Sequence, residues 1–393
     1  MDSISTRRLV LVALFTGSLG CAASNSNPAP SRTSLAPEVA AIVAKQHFSH
    51  PDIGKLLARP PGDVDAVLAA LDDPETRRLS REELALFNKD TTGAEDTTGL
   101  GLTELLSLDI GSSGAPVVVT PIPGSSAAEA GLRPRDEILS VGGRSTAGVP
   151  FGTVLSWLRK DTAPVQLAIR RAEKTLSLVL DRNPTLKPRE HLPRALQLSK
   201  TVGYLRLEAF YEGLEIPFRD ALSNLTAHGT TRLVLDLRDN PGGAVSTALE
   251  VIGALAGPIV AARGLDAQGS RVFTGQIVVL INEGTASAAE LVSSALQAAG
   301  RATLVGTRTF GKGLIHAGAE LSDGSMLIVS AGHLVSSAGR DILKEGVEPD
   351  VVVATAELPT SREVAPTLAK LDDDPQVKRA LSLAVSSTSA GVP

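Results

Sequence analysis

The chain has 393 residues, which is more than one compact core usually contains, so two or three domains are expected. A hydrophobic content of 43% is sufficient for packed cores. The formal net charge of −5 and the aromatic content of 3% provide neither a cationic surface nor platforms for base stacking, which argues against a nucleic-acid-binding protein.

The N-terminal stretch MDSISTRRLVLVALFTGSLGC is typical of an export signal. Arg7 and Arg8 precede an apolar run over residues 9–15 that is too short to span a bilayer. We therefore assign residues 1–21 to a signal peptide. This predicts a mature protein in a bacterial periplasm or cell envelope.

Cys21 is the only cysteine of the chain and lies where the signal ends. The local sequence SLGC resembles the lipobox of bacterial lipoproteins, although Ser18 stands where that pattern prefers leucine. Two alternatives stay open: lipidation of Cys21, or ordinary cleavage near Ala22 and Ala23. In both cases the lack of a second cysteine excludes an internal disulfide.

Residues 22–35 are a predicted linker, and residues 36–95 are a predicted helical segment. The linker lies in SNSNPAPSRTSLAP, which is polar and contains proline. Apolar residues then recur at helical spacing through PEVAAIVAKQHF, DVDAVLAALDD and SREELALFNKD. Ser80 and Glu83 form a predicted capping box for the last of these helices.

Residues 96–183 consist of short β-rich runs, and PGSSAAEAGLRPRDEILSVGGRST within them resembles a PDZ domain. In that family a Gly-Leu-Gly type of loop binds the C-terminal carboxylate of a substrate through backbone N–H groups. The resemblance assigns this role to Gly99, Leu100, Gly101 and Leu102. Taken alone, GLGL is more often a plain turn.

Residues 184–357 alternate strands with helices. Fully apolar strands such as LVLDL and IVVLI, followed by amphipathic helices, indicate a mostly parallel sheet with helices on its faces. Sites in such sheets form beyond the C-terminal ends of the strands, where this chain has RDNPGG and NEGTASAAE.

Ser287 lies at the second of these strand ends, at the predicted start of a helix. Alanines flank it, so its hydroxyl should be unobstructed, and the N–H of Ala288 could face an oxyanion. This arrangement suits a nucleophile. The alternative is that Ser287 and Thr285 are ordinary helix N-caps, which is the commoner role of serines at helix starts.

Lys312 lies between two glycines in TFGKG, a small and apolar setting in which other backbone can approach closely. The predicted strand over residues 302–306 should bring it to the same edge as Ser287. A lysine acts as a base only when neutral, which requires lowering its pKa from about 10.4 to about 7 or 8, at a cost on the order of 4 kcal/mol. The alternative is a lysine whose stem packs while its head reaches water.

The chain resembles the C-terminal processing peptidases in a series of motifs. In order along the chain, these are LDDPETRRLSREELALFNKDTTG, the PDZ segment, LDLRDNPGG, NEGTASAAE, GTRTFGKG, LSDGSM and SAGRDILKEGVEPD. Those peptidases are PDZ-containing serine–lysine proteases of peptidase family S41. The resemblance implies an α+β multidomain fold, with a helical N-terminal segment, a β-rich PDZ domain and a ClpP/crotonase-like α/β protease core with a mostly parallel sheet.

The resemblance also implies roles for individual residues. Ser287 corresponds to the nucleophile and Lys312 to its general base, whereas Ala288 and one of Gly242 or Gly243 correspond to the backbone donors that bind the oxyanion. Neither a metal nor an organic cofactor is expected to take part.

His316 departs from the family pattern, which usually has a glutamine four residues after the lysine, hydrogen-bonded to it. Imidazole can accept a hydrogen bond from an amine, so His316 can take over the orienting role. A histidine that only packs on its strand is the alternative.

The sequence therefore predicts an exported serine endopeptidase that acts on proteins or peptides with exposed C-termini, with an oligomer or an activating partner left open. A PDZ adaptor that lost activity is the alternative, although it would not need Ser287 and Lys312. A crotonase-like acyl-CoA enzyme shares the oxyanion hole but explains neither the signal nor the PDZ segment. Residues 358–393 are predicted to form an exposed helix and a tail, which either are solvated or mediate assembly.

Overall fold

The computed structural model describes residues 32–57, 63–71, 73, 75–84, 106–107, 115–121, 126–149, 151–159, 164–181, 192–343, 345–354 and 368–386. Within them, helices α1 to α10 span Arg32–Gln46, Ile53–Leu57, Val64–Ala69, Ser126–Glu129, Phe151–Arg159, Glu215–Ala227, Val245–Ala256, Ala288–Ala298, Leu368–Asp373 and Pro375–Ser386. Strands β1 to β17 span Arg77–Leu79, Leu106–Ser107, Val117–Val118, Glu137–Val141, Arg144–Ser145, Val165–Arg171, Lys174–Leu180, Arg194–Gln197, Val202–Arg206, Arg232–Asp236, Ile259–Ala262, Leu265–Ala267, Gln276–Ile281, Ala302–Gly306, Leu314–Glu320, Met326–His333 and Val351–Val352.

A six-stranded sheet with the order β17-β14-β13-β10-β9-β8 forms the centre of the core. Its strands are parallel except β8, which pairs with β9 in antiparallel fashion. Leu235 and Val279 pack on one face with α6, α7 and α8, whereas Val234 and Leu280 pack on the other. Because both faces are covered, the successive residues 233–235 of β10 and 277–281 of β13 are all apolar, and the predicted mostly parallel sheet is confirmed.

Helix α10 covers the second face of this sheet. Val377 and Ala380 are fully buried and belong to the same apolar cluster as Val234 and Leu280. The prediction of an exposed helix after residue 358 is therefore wrong for α10. Its physical reason is that α6, α7 and α8 cover only one face, so the apolar stripe of α10 is needed on the other.

A second sheet, in the predicted PDZ segment, has the order β2-β3-β4-β6-β7, with β5 paired to β4, and is antiparallel. Its core contains Ile138 and Leu167 from the sheet, Ala127 from α4 and Val154 from α5. The small-residue helix and the strand that follows it lie where the sequence predicts them. The predicted carboxylate loop over residues 99–102 lies outside the described residues.

The N-terminal helices pack on a third sheet, β1-β16-β15. Helix α1 begins at Arg32, inside the predicted linker, because Leu35 and Ala36 are buried in the cluster that includes Leu327 of β16. This burial outweighs the helix-breaking tendency of Pro37.

The predicted capping box is confirmed. Ser80 N donates to Glu83 Oε2 at 2.8 Å, and Glu83 N donates to Ser80 Oγ at 3.1 Å. None of the helices in the described part of the chain combines the length and the apolar composition that a membrane span requires.

Candidate active site

Three turns meet at the C-terminal edge of the central sheet. We call them the glycine turn (residues 237–243, after β10), the serine turn (residues 282–287, after β13) and the lysine turn (residues 307–313, after β14). Thr285 Oγ1 donates to Leu237 O at 2.8 Å, Ala286 N donates to Asn240 O at 2.9 Å, and Phe310 N donates to Thr285 O at 2.9 Å. These hydrogen bonds join all three turns, so the predicted residues Ser287, Lys312, Gly242 and Gly243 lie at one edge.

Ser287 immediately precedes α8 and has a strained backbone. Its φ is 53° and its ψ is −119°, a combination that residues with a side chain rarely adopt. Such strain costs about 1–3 kcal/mol and persists only where the surroundings impose it. The hydroxyl of Thr285, the other residue considered as a cap, is used in the hydrogen bond to Leu237.

The glycine turn packs directly against Ser287. A Cβ on Gly242 would lie 2.7 Å from Ser287 Cβ, and a Cβ on Gly243 would lie 1.9 Å from Phe210 O, so neither position accepts a side chain. Gly242 N donates to Asn240 Oδ1 at 2.9 Å. The N–H groups of Gly243 and Ala288, by contrast, donate to no residue that the structure describes. Two backbone donors are thus available beside Ser287.

Glu290 connects the serine turn to the lysine turn, and the sequence reasoning did not identify it. Its carboxylate is fully buried and accepts hydrogen bonds from Ser287 N at 2.8 Å, Gly311 N at 2.8 Å, Lys312 N at 2.9 Å and the hydroxyl of Thr309. Burial raises the pKa of Glu290, and these hydrogen bonds oppose the rise. The pattern Ser-x-x-Glu in SAAE was the signal that could have revealed it.

Lys312 is half-buried between two buried glycines. A Cβ on Gly313 would lie 2.2 Å from Leu343 N, and Gly311 has a φ of 91°. Backbone therefore does approach the lysine closely, as the sequence predicts. Because Lys312 N and Ser287 N donate to the same oxygen, Glu290 Oε2, the two backbones have a fixed relation.

His316 lies on β15 next to a β-bulge and is paired with Ser330 of β16. Its Nε2 atom faces Glu75 Oε2 at 3.4 Å. Sequence reasoning considered His316 as a partner of Lys312 or as a histidine that packs on its strand. It missed Glu75, which lies far away in the sequence.

The second sheet contacts the lysine turn through Arg135. Its Nη2 donates to Phe310 O at 2.7 Å and to Thr309 O at 3.1 Å, and its guanidinium carbon lies 5.0 Å from the centre of the Phe310 ring. Val119 joins Ala286 and Phe310 in a small buried cluster. In the described part of the chain no group of three or more His, Cys, Asp or Glu side chains is arranged to hold a metal ion.

Comparisons with known proteins agree with this architecture. Residues 201–353 match the model of peptidase family S41, and residues 117–171 match that of a PDZ domain. The chloroplastic C-terminal processing peptidase of Tetradesmus obliquus is 35% identical over 327 residues, which cover 76% of this chain and 69% of that protein. The carboxyl-terminal-processing protease of Picosynechococcus sp. is 33% identical over 307 residues, which cover 74% of this chain and 72% of that protein.

Among solved structures, a photosystem II D1 C-terminal processing protease superimposes with a TM-score of 0.72 at 31% identity, covering 85% of this chain and 96% of that chain. Fold and similarity together define a serine-type peptidase with a PDZ domain. The chain belongs to peptidase family S41, among the carboxyl-terminal processing proteases. Its substrates are accordingly proteins or peptides.

Proposed function

We propose that this protein is an exported serine endopeptidase in which Ser287 is the nucleophile and Lys312 is the general base. The observation that carries the proposal is the strained backbone of Ser287 at the start of α8, held by the same Glu290 oxygen that accepts the N–H of Lys312. Strain of this kind persists where a reactive side chain must be presented in one orientation.

In the proposed reaction, Ser287 Oγ attacks the carbonyl carbon of the scissile bond, and its proton passes to the neutral amine of Lys312. The oxyanion accepts hydrogen bonds from the N–H groups of Ala288 and Gly243. We assign Gly243 rather than Gly242 because Gly242 N already donates to Asn240. Lys312 then gives the proton to the leaving amine, and it later takes a proton from the water that hydrolyses the acyl-enzyme.

In the proposed reaction Lys312 acts as the base in its neutral form. In the proposal His316 accepts a hydrogen bond from Lys312 and replaces the glutamine of the family pattern. The reaction uses no metal and no organic cofactor.

The decisive measurement is cleavage of an unfolded protein with an apolar C-terminus by wild type, Ser287→Ala, Lys312→Ala and Lys312→Arg. We expect each variant to lose about a thousandfold or more in kcat while circular dichroism stays unchanged. Arginine cannot serve as the base, because its guanidinium does not deprotonate in proteins. Substantial activity of Lys312→Arg would place the base elsewhere.

We further propose that the PDZ domain binds the free C-terminal carboxylate of the substrate through Gly99, Leu100, Gly101 and Leu102. Amidation of a peptide's C-terminus should then weaken its binding, because the backbone N–H groups lose an anionic acceptor. Equal affinities for the acid and the amide would remove this role.

Export and processing form a separate part of the proposal. Residues 1–21 direct the chain to the periplasm or cell envelope, and the residues between this signal and the start of α1 at Arg32 are the linker. Residues 36–95, 96–183, 184–357 and 358–393 belong to the helical segment, the PDZ domain, the peptidase core and the C-terminal part. The mass of the mature N-terminus distinguishes a lipidated Cys21 from cleavage near Ala22 and Ala23. Size-exclusion chromatography with light scattering determines whether the mature protein is an oligomer.

A PDZ adaptor is the second candidate, and the replacement of the family glutamine by His316 is the observation that favours it. An adaptor would bind C-terminal peptides with the same affinity in wild type and Ser287→Ala, and neither protein would cleave them. Turnover by wild type alone would reject the adaptor.

A further inference from the structure

A carboxylate from the N-terminal part of the chain faces His316. Glu75 Oε2 lies 3.4 Å from His316 Nε2, and both side chains are largely buried, with exposed fractions of 14% and 25%. The Nε2 atom is shielded from solvent and has no hydrogen bond to any described residue. This contact places a carboxylate, which can only accept hydrogen bonds when ionised, beside a ring nitrogen that is shielded from solvent.

The turn that carries Glu75 is fixed to the strand beside His316. Asp73 accepts hydrogen bonds from Thr76 Oγ1 at 2.6 Å and from Glu75 N at 3.1 Å. Thr76 Oγ1 in turn accepts one from Ser330 N at 3.0 Å, and Ser330 is the β16 residue paired with His316. Glu75 is therefore held in register with His316 by the sheet itself.

Other charged groups surround this pair. Arg77 on β1 places Nη1 3.8 Å from Glu75 Oε2, and the charges of Asp73 and Glu83 also act on Arg77. Lys312 lies four residues before His316 in the chain, just before β15 begins. The pair therefore contacts one cation through Glu75, and its histidine lies close in sequence to the lysine of the proposed site.

We propose that Glu75 is a positioning residue of the peptidase reaction. Its carboxylate accepts a hydrogen bond from the Nε2–H group of His316, and this fixes the neutral tautomer in which Nδ1 is the acceptor. The inference rests on the proposed roles of Lys312 and His316. An ionised carboxylate can only accept a hydrogen bond, so a neutral imidazole facing it must carry its proton on Nε2. Nδ1 then keeps the lone pair that a hydrogen bond from the Lys312 amine requires.

Without Glu75, His316 can also carry its proton on Nδ1. That tautomer presents a donor to an amine that is itself a donor, and Lys312 loses its orientation. Glutamine at position 75 is a poor substitute, because its amide can present either an oxygen or an NH₂ group to Nε2.

The tautomer of His316 is measured directly by long-range ¹H–¹⁵N correlation on ¹⁵N-labelled protein carrying Ser287→Ala. His316→Gln assigns the signal among the six histidines of the chain. Above about pH 8, where imidazole is neutral, we expect the Nε2–H form with Glu75 present and a mixture of tautomers after Glu75→Ala. The exposed neighbour Glu82 provides the matched control, and Glu82→Gln should leave the signal unchanged.

The kinetic arm is a double-mutant cycle on the active protein. Glu75→Ala should lower kcat about tenfold while KM stays within about twofold, and the same change made in His316→Gln should alter kcat less than twofold.

Two results would overturn the inference: a pure Nε2–H tautomer after Glu75→Ala, or an equal loss of kcat in the wild-type and His316→Gln backgrounds. If Glu75→Ala does not fold, Glu75→Gln replaces it with the same readouts. Failure of the proposed function is a different outcome, full activity of Ser287→Ala, and the tautomer measurement does not depend on it.

Discussion

At the scale of single residues, Glu290 is the side chain on which the geometry of the site depends most directly. It accepts hydrogen bonds from the backbones of Ser287, Gly311 and Lys312 and from the hydroxyl of Thr309, and no part of it reaches solvent. A carboxylate is suited to this place because it offers only acceptors to four donors.

Glu290→Gln should therefore reduce both activity and stability. The amide replaces one acceptor with an NH₂ group that faces N–H donors, and each buried donor left unpaired costs about 1–3 kcal/mol. We expect the free energy of unfolding in urea to fall by about 2–4 kcal/mol and kcat to fall more than KM changes. The exposed Glu320 supplies the control, Glu320→Gln. Wild-type kcat and stability in Glu290→Gln would show that the four hydrogen bonds are dispensable.

Asp236, at the end of β10, makes stability depend on pH. Burial alone would raise its pKa, but the guanidinium groups of Arg238 and Arg206 outweigh burial and hold the pKa of Asp236 well below its usual range. Tyr204 Oη donates to the same carboxylate at 2.7 Å. Because the pKa is lower in the folded than in the unfolded chain, this stabilisation is present above the unfolded pKa and is lost as the pH falls towards the folded one.

The free energy of unfolding should accordingly decrease as the pH is lowered below about 4, the ordinary pKa of aspartate. Asp236→Asn should be less stable at neutral pH and should show a shallower decrease over the same acidic range. Denaturant titrations at several pH values measure both effects, with the exposed Asp266→Asn as the control. Equal slopes for wild type and Asp236→Asn would contradict the assignment.

The sequence supports single-residue assignments only where local pattern carries them. Ser287 and Lys312 were predicted because strand ends and glycines are visible in the sequence. Glu75 was not, because its contact with His316 depends on the pairing of β1 and β15 with β16, and a register cannot be read from either strand alone. Glu290 lies between these cases, since the capping pattern was local but three of its four donors come from the lysine turn.

At the scale of elements, the described residues of the PDZ domain contact the lysine turn chiefly through Arg135. Its guanidinium donates to two carbonyl oxygens, those of Thr309 and Phe310, and a small apolar cluster forms around Phe310. Those carbonyls belong to the segment that leads directly to Lys312. A change at Arg135 therefore acts on the lysine turn without touching the side chains that carry the proposed chemistry.

Arg135→Ala should lower kcat/KM by about tenfold or more, because two carbonyl oxygens lose a charged donor and the lysine turn loses its support. Arg135→Lys should recover only part of the activity, since an ammonium lacks the planar fork. Hydrogen exchange of the amides at 309–313 should rise in Arg135→Ala, whereas Lys174→Ala, on an exposed hairpin of the same domain, should change neither quantity. Unaltered exchange with reduced activity would locate the effect outside the lysine turn.

The elements themselves were largely predictable. Apolar runs such as LVLDL and IVVLI indicated buried strands because they are short and lead into turn sequences, and the small-residue helix of the PDZ segment has a local signature. Helix α10 was predicted to be exposed because the sequence around its start, LDDDPQVKR, is rich in charged residues. Its apolar stripe is buried only because one face of the central sheet has no other cover. The composition of a segment predicts that it is a helix, whereas the burial of that helix depends on which apolar surfaces the rest of the chain leaves uncovered.

At the scale of the whole molecule, α10 is a structural part of the peptidase core. Val377→Asp would place an unpaired carboxylate on the buried face of the central sheet and should lower the free energy of unfolding by more than about 4 kcal/mol. Arg379→Asp, on the exposed side of the same helix, should have little effect. Thermal unfolding by circular dichroism compares the two, and similar melting temperatures would show that α10 is dispensable.

The pairing of Arg77–Leu79 in β1 with Met326–Ile328 in β16 has a consequence for the order of events during synthesis. A chain emerging from its N-terminus must wait for most of its length to appear before β1 finds its partner, and α10 arrives later still. Contacts between such distant segments form late in folding. A partly synthesised chain therefore lacks both the β1–β16 pairing and the α10 cover of the central sheet. The peptidase core becomes complete only after nearly all of the described chain has been made.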